Sequence, residues 1–301
     1  MTSAITVVEE HKTLDEDKTL DEHKTLDEHK AVLDEQGYTV IPDVLSPEQV
    51  AELRTLLVER AKFEETDPSG WTRGGNQRIF NLISKGAAFR DVAEHPVAVE
   101  MMAHMLVDPD RRGESMLAEH LDGIEFLLSS YSANITLPGC ATGVMHQDQV
   151  FVTPPWPGPM VGNVIWMIDD FTPDNGATAI IPGTHTLTEP QCWPATDQLM
   201  GEPVTVTGKA GSAFVFNGVV LHQSGANTTA NERRHAILSY YCRPFIRQQE
   251  NFTRVVTPEL AAELSPTLRK LLGYETYFTL GYTDGYAKDL DLVADDPDAY
   301  A

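Results

Sequence analysis

Between Ile124 and Tyr241 the chain runs as short stretches rich in Val, Ile, Phe, Tyr and Trp, separated by clusters of Gly, Pro, Asn and Asp. These stretches are Phe126 to Ile135, Val161 to Asp169, Ala177 to Ile181, Val204 to Thr207, Ser212 to Phe216 and His235 to Tyr241. β-Branched and aromatic side chains suit a pleated, half-buried surface, and the punctuating residues supply tight turns. Asn175-Gly176 and Pro182-Gly183, for instance, read as turns bracketing one strand. Many short strands without helical pattern between them predict an antiparallel barrel or jelly roll.

The first third has a different texture. Gly37-Tyr38-Thr39-Val40-Ile41-Pro42 reads as a short strand ended by proline. Directly after it, Ser46 is a good N-cap, Pro47 suits the first helical position, Gln49 completes a capping box, and Val50, Leu53, Leu56 and Leu57 form an apolar face. Further helices are expected over His95 to Leu106 and Pro258 to Leu272. The architecture predicted is therefore mainly β with flanking helices against one outer face of the sheet. No linker divides it, so residues 31–301 are read as a single domain.

Before that domain the motif Lys-Thr-Leu-Asp-Glu runs in tandem with a period of six. At about 100° per residue, Leu14, Leu20 and Leu26 fall about 120° apart and share no helix face. Residues 1–30 are accordingly expected to be an acidic, flexible tail, with His11, His23 and His29 at the surface.

The formal charge of −23 argues against nucleic acid or an anionic membrane surface as a partner, since both repel such a chain. No apolar run approaches the roughly twenty residues needed to span a bilayer, and the N-terminus lacks the pattern of a secretory signal. A cytoplasmic location is expected. Cys140, Cys192 and Cys242 show no paired spacing and are read as free thiols.

Chemistry concentrates at His146-Gln147-Asp148 and at His222. In a strand, residues two apart point to the same face, so His146 and Asp148 can reach one metal. Two imidazoles and one carboxylate on one face of an octahedron suit oxygen-activating iron(II), because three positions stay open. Zinc hydrolases use similar donors. Eleven residues past His222, on the next predicted strand, Arg233 is placed to pair with the far carboxylate of a dicarboxylate cosubstrate. Its plainer reading is a surface charge, with Arg234 on the opposite face; parity alone leaves both open.

Taken together and in order, these segments resemble the phytanoyl-CoA dioxygenase family, which includes ectoine hydroxylases and many natural-product oxygenases. The resemblance runs from about Leu33 to Gly285. It includes the Gly37-to-Ile41 strand, His146-Gln-Asp148, Asp174-Asn-Gly-Ala-Thr178 through His185, His222-Gln-Ser224-Gly225, Arg233, and Leu271-Leu-Gly-Tyr274. It implies a double-stranded β-helix (a cupin-like jelly roll) and a dioxygenase using iron(II), 2-oxoglutarate and O2. His146, Asp148 and His222 become the catalytic metal ligands and Arg233 the 2-oxoglutarate anchor. Trp166, Thr178, Asn134 and Gln77 become cosubstrate-pocket residues, and His185 a structural residue. Gly143 and Gln147 depart from what some relatives carry there.

The same resemblance implies that 2-oxoglutarate ends as succinate and carbon dioxide while a substrate C–H is hydroxylated. Related halogenases replace the ligand carboxylate with a small residue, so Asp148 favours oxygenation. Trp71, Trp156 and Trp193, with the stiff Phe151-to-Pro159 segment, suggest walls for a mid-sized, partly hydrophobic small molecule of secondary metabolism; ordinary core packing explains them equally. A metal-dependent barrel isomerase or hydrolase, and a non-catalytic ligand-binding barrel, are the rival readings. Monomer and homodimer stay open.

Overall fold

The computed structural model describes residues 24–67, 70–107, 125–191, 200–275, 277 and 280–281. Its helical layer opens at the last of the tandem repeats. Thr25 accepts a hydrogen bond from the Glu28 N–H while the Glu28 carboxylate accepts from the Thr25 N–H, and this capping box starts α1 (Leu26–Gln36). Gly37, at φ 83°, ends the helix in the left-handed conformation. A cap needs only four adjacent residues, so a repeat sharing no helix face with its neighbours still nucleates a helix. Order thus begins ahead of Ala31. His29 is buried, not at the surface: its Nδ1 lies 2.8 Å from Thr39 Oγ1 on the next element. His11 and His23, with the rest of the expected tail up to residue 23, lie outside the described residues.

β1 (Tyr38–Ile41) leads into α2 (Pro47–Thr66), which carries the predicted capping box and buries Leu53, Leu57 and Ala61. The hairpin β2 (Trp71–Arg73) and β3 (Asn76–Ile79) follows, then α3 (Ala87–Ala93) and α4 (Pro96–Leu106). The remaining strands are β4 (Leu127–Thr136), β5 (Val161–Met167), β6 (Thr178–Ile180), β7 (Val204–Thr205), β8 (Ala213–Asn217), β9 (His222–Ser224) and β10 (Arg234–Cys242). Three short helices close the described chain: α5 (Phe252–Val255), α6 (Pro258–Glu263) and α7 (Pro266–Leu271). The last two replace one expected helix. Ser265 caps a new start, and Pro266 has no N–H with which to continue the old one.

Seven strands form one antiparallel sheet in the order β1-β8-β5-β10-β4-β3-β2, and β7-β6-β9 form a second. Register decides what each face of the larger sheet does. Ile79, Ala133, Ile237, Trp166 and Ala213 stand side by side across β3, β4, β10, β5 and β8 and pack against the helices, in one core with Leu53, Leu57, Phe89 and Met101. The adjacent row, Ser132, Leu238, Ile165 and Phe214, faces the smaller sheet. There a second core forms from Ile165, Met167, Phe171, Phe214 and Phe216. Two antiparallel sheets face to face with helices on one outer side are the jelly roll expected.

Among the described residues no helix is long and apolar enough to cross a membrane. Cys140 and Cys242 are free and buried; Cys192 lies outside the described residues.

Candidate metal centre and cofactor cavity

His222 opens β9 and is bridged to His146 by a reciprocal pair of backbone hydrogen bonds of 2.9 Å each. The two imidazoles thereby become cross-strand neighbours, with ring centroids 4.3 Å apart. His146-Gln-Asp148 is not a continuous strand. Only His146 pairs, and Asp148 lies in a turn where its N–H donates to the Gly218 carbonyl at 2.9 Å. The carboxylate still comes round to the histidines: Asp148 Oδ1 is 3.6 Å from His146 Nε2, and Oδ2 is 3.6 Å from His222 Nε2.

Carbonyl oxygens only accept, so the hydrogen bonds His146 Nδ1 to Val144 O (2.9 Å) and His222 Nδ1 to Val220 O (3.0 Å) place the ring protons on Nδ1. Both Nε2 lone pairs are thereby aimed at the Asp148 side. Burial pushes the His222 pKa down, which keeps the ring in its neutral, ligating form. One donor atom from each residue lies within 4.8 Å of the others, close enough for one ion. Behind them, Asn163 Nδ2 donates to Asp148 Oδ2 at 2.8 Å and the Tyr240 hydroxyl donates to the Asp148 carbonyl at 3.2 Å. Outer-shell bonds of this kind orient ligands, so Asn163→Ala is expected to weaken iron(II) affinity by about 10- to 100-fold, read by competition with a metal-binding dye.

The triad borders a cavity of about 230 Å³ between the sheets. Arg234 projects into it from the start of β10 and is almost fully buried. Its Nη2 donates to Thr136 Oγ1 (2.5 Å) and to the Gly176 carbonyl (3.0 Å), and the guanidinium lies 4.3 Å from the Phe171 ring centroid. Nε is buried without a partner. Burial lowers the Arg234 pKa to about 10, which leaves it cationic at neutral pH. A fixed, buried cation with an unsatisfied donor is a seat for a carboxylate.

Thr178 and Asn134 also line this cavity, as expected. Arg233, Trp166 and Gln77 do not. Arg233 faces outward and pairs with Glu65 of α2 at 2.9 Å. Trp166 sits on the helix-facing side, its indole donating to Ser239 Oγ at 2.9 Å and its ring meeting His95 edge-on. Gln77 turns the same way and donates to the Ala61 carbonyl at 2.9 Å. In all three places the sequence neighbour reaches the cavity instead: Arg234, Ile165 and Arg78. A shift of one residue in a strand exchanges faces, and the choice depends on pairing partners distant in the chain. The supporting residues Asn163 and Tyr240 carry no local signal and were invisible for the same reason.

The expected tryptophan walls are absent from the described lining. Trp71 is exposed on an edge strand against Phe80, and Trp156 is buried with its indole bonded to the Val152 carbonyl at 2.8 Å. Trp193 lies outside the described residues. His185 donates from Nε2 to the Asp34 carbonyl at 2.9 Å and joins α1 to the smaller sheet rather than entering the triad.

Residues 33–236 match the family described as phytanoyl-CoA dioxygenase (PhyH). The chain belongs to this family. Dioxygenase af480 of Aspergillus fumigatus is 32% identical over 249 residues, covering 80% of this chain and 75% of the relative. Multifunctional dioxygenase prhA of Penicillium brasilianum is 26% identical, with 82% of each chain covered. Among solved structures, HygX of Streptomyces hygroscopicus with nickel and 2-oxoglutarate bound superposes with a TM-score of 0.57 at 15% identity, over 77% of this chain and 92% of HygX. The epimerase SnoN, in complex with Fe3+, alpha ketoglutarate and nogalamycin RO, gives 0.56 at 18% identity over 77% and 90%. These two are similar in fold. Like other PhyH proteins the chain is a non-haem iron, 2-oxoglutarate-dependent dioxygenase with O2 as cosubstrate, and its His-Asp-His donor set suits that iron.

Proposed function

We propose that His146, Asp148 and His222 hold the iron and that Arg234, not Arg233, binds the far carboxylate of 2-oxoglutarate. The enzyme then hydroxylates an unactivated C–H of a mid-sized, partly hydrophobic small molecule in secondary metabolism. One observation carries this reading. A facial set of two imidazoles and a carboxylate opens onto the same cavity as a buried arginine with an unsatisfied Nε.

Bound iron with 2-oxoglutarate supplies the oxidising power for C–H cleavage, and the carbon skeleton of the cosubstrate leaves as succinate and carbon dioxide. The chain's own work is positional. Three protein donors on one side leave the cavity side for cosubstrate and oxygen. Arg234 sets how deep 2-oxoglutarate sits, with Thr178 and Ser224 lining the space beside it. Asp148 would supply a carboxylate donor to the iron where related halogenases carry a small residue, which supports oxygenation over halogenation.

At about 230 Å³ the cavity is smaller than the roughly 300–1,000 Å³ of a drug-sized ligand site, so a mid-sized substrate must extend into its mouth. Fold neighbours from nogalamycin biosynthesis, and HygX with hygromycin B bound, support a natural-product substrate. A barrel isomerase or hydrolase would keep the same three donors without requiring 2-oxoglutarate, and the following test separates the two readings.

The test is anaerobic addition of iron(II) and 2-oxoglutarate to metal-free protein. A weak visible charge-transfer band is expected, followed by succinate when oxygen and substrate are admitted. Folded, iron-loaded protein without that band overturns the reading.

A further inference from the structure

β10 lacks its β5 partner at the point where Arg234 leaves it. Pairing with β5 stops at Ala236 opposite Met167, whereas pairing with β4 runs on to Arg234 opposite Thr136. Past Met167 the chain departs from the regular ladder, and the N–H groups of Ile168 and Asp169 both donate to the His235 carbonyl at 3.3 Å. The His235 N–H, on the same side, is met by a side chain. Asp169 Oδ2 accepts from it at 2.8 Å and from His235 Nδ1 at 2.6 Å, while Oδ1 accepts from Arg54 Nε of α2 at 2.7 Å. One carboxylate thus satisfies a buried peptide group that strand pairing would otherwise satisfy, and ties it to the helical layer.

The hold is charged. Burial works against ionisation of Asp169, but the donors from His235 and Arg54 outweigh it and bring the pKa down to about 2, so the carboxylate is ionised at neutral pH. The same segment reaches Arg234 a second time. Two residues beyond Asp169, Phe171 lies under the Arg234 guanidinium, and its N–H is fixed by the Gly208 carbonyl at 2.8 Å. Asp169 therefore steadies the backbone from which Arg234 springs, and Phe171 the far end of its side chain. Asp169 itself does not line the cofactor cavity; it borders an outer groove between α2 and β10, with Arg54, Arg233 and His235.

A two-pronged pair between guanidinium and carboxylate requires donors held within about 0.5 Å of their ideal places. Building on the assignment of Arg234 as the 2-oxoglutarate anchor, we infer that Asp169 is its positioning residue. By standing in for the missing strand partner at His235, it sets where the guanidinium meets the far carboxylate. It thereby governs selection of 2-oxoglutarate over 2-oxo acids that lack a second carboxylate. The neighbouring Asp170 has the same charge and no such part: it accepts from Lys209 Nζ at 2.9 Å and from the Ala210 N–H at 2.8 Å, away from β10.

The experiment uses the full chain loaded anaerobically with manganese(II), titrated by calorimetry with 2-oxoglutarate and with 2-oxovalerate, which has a methyl group in place of the far carboxylate. Wild type is expected to prefer 2-oxoglutarate by about 100-fold or more. Asp169→Ala should narrow that preference by about tenfold, through weaker 2-oxoglutarate binding with 2-oxovalerate unchanged. Asp169→Asn, whose amide oxygen still accepts one bond, should narrow it less, and Asp170→Ala should leave it within about twofold. In an Arg234→Met background, Asp169→Ala should have no further effect on 2-oxoglutarate, because the group it positions is gone. A preference unchanged in Asp169→Ala, equal weakening of both acids, or an undiminished effect in the Arg234→Met background overturns the inference. So does an equal narrowing in Asp170→Ala. Should Asp169→Ala fail to fold by circular dichroism, Asp169→Asn carries the same comparisons, alone and with Arg234→Met. Absence of any preference in wild type instead overturns the Arg234 assignment, and is seen before any variant is measured.

Discussion

Arg234→Met is expected to weaken 2-oxoglutarate binding by about 100-fold or more, whereas Arg233→Met leaves it within a factor of about two. Both are arginines, adjacent in sequence, and removal of either changes the formal charge equally. Their surroundings differ. Arg234 is buried, held by Thr136 and Gly176 and stacked over Phe171, so a carboxylate paired with it sits away from water. Truncating such a buried charged partner costs about 2–5 kcal/mol, and each 1.4 kcal/mol is about a factor of ten. Arg233 is about half exposed and bonded to Glu65, itself about half exposed, in a surface pair worth at most about 1 kcal/mol to stability. Anaerobic titration of the charge-transfer band against 2-oxoglutarate separates the two variants. The reverse order of effects would return the anchor to Arg233.

His222→Ala is expected to abolish stoichiometric iron binding and to reduce turnover by more than about a thousandfold, because the metal and its two remaining ligands act as a unit. The bridge between His222 and His146 is made by backbone atoms, which alanine retains, so the protein is expected to stay folded. His185→Ala is the matched control. It removes a histidine bonded to the Asp34 carbonyl, outside the triad, and iron content is expected to be unchanged. Metal analysis of the two purified variants, with circular dichroism to verify folding, is the measurement. Iron retained at one equivalent by His222→Ala would remove His222 from the ligand set.

Local chemistry was legible without a structure. The Ser46 capping box starts α2 as expected because its hydrogen bonds join residues three apart. Gly37, Asn175-Gly176 and Pro182-Gly183 fall at ends and turns for equally local reasons. The Thr25 box before α1 is equally local, but the period of six across whole repeats carries no trace of it, and His29 is buried where the repeat alone predicts a surface position. The candidate metal donors were legible on other grounds. Two histidines and an aspartate in this order are a chemically restrictive set, and they converge even though Asp148 sits in a turn rather than on the strand assumed for it.

The strand-rich texture, the capped helices and the candidate donor set of His146, Asp148 and His222 can be read along the chain, because they rest on residues acting through near neighbours or through their own chemistry. Which of Arg233 or Arg234, Trp166 or Ile165, and Gln77 or Arg78 faces the cavity is set by the folded arrangement of the sheets. An isolated strand has two equivalent sides. They become inside and outside only when β10 pairs with β4 and β5, and when the helices cover one face of the sheet; those contacts join residues far apart in the chain and leave no local mark.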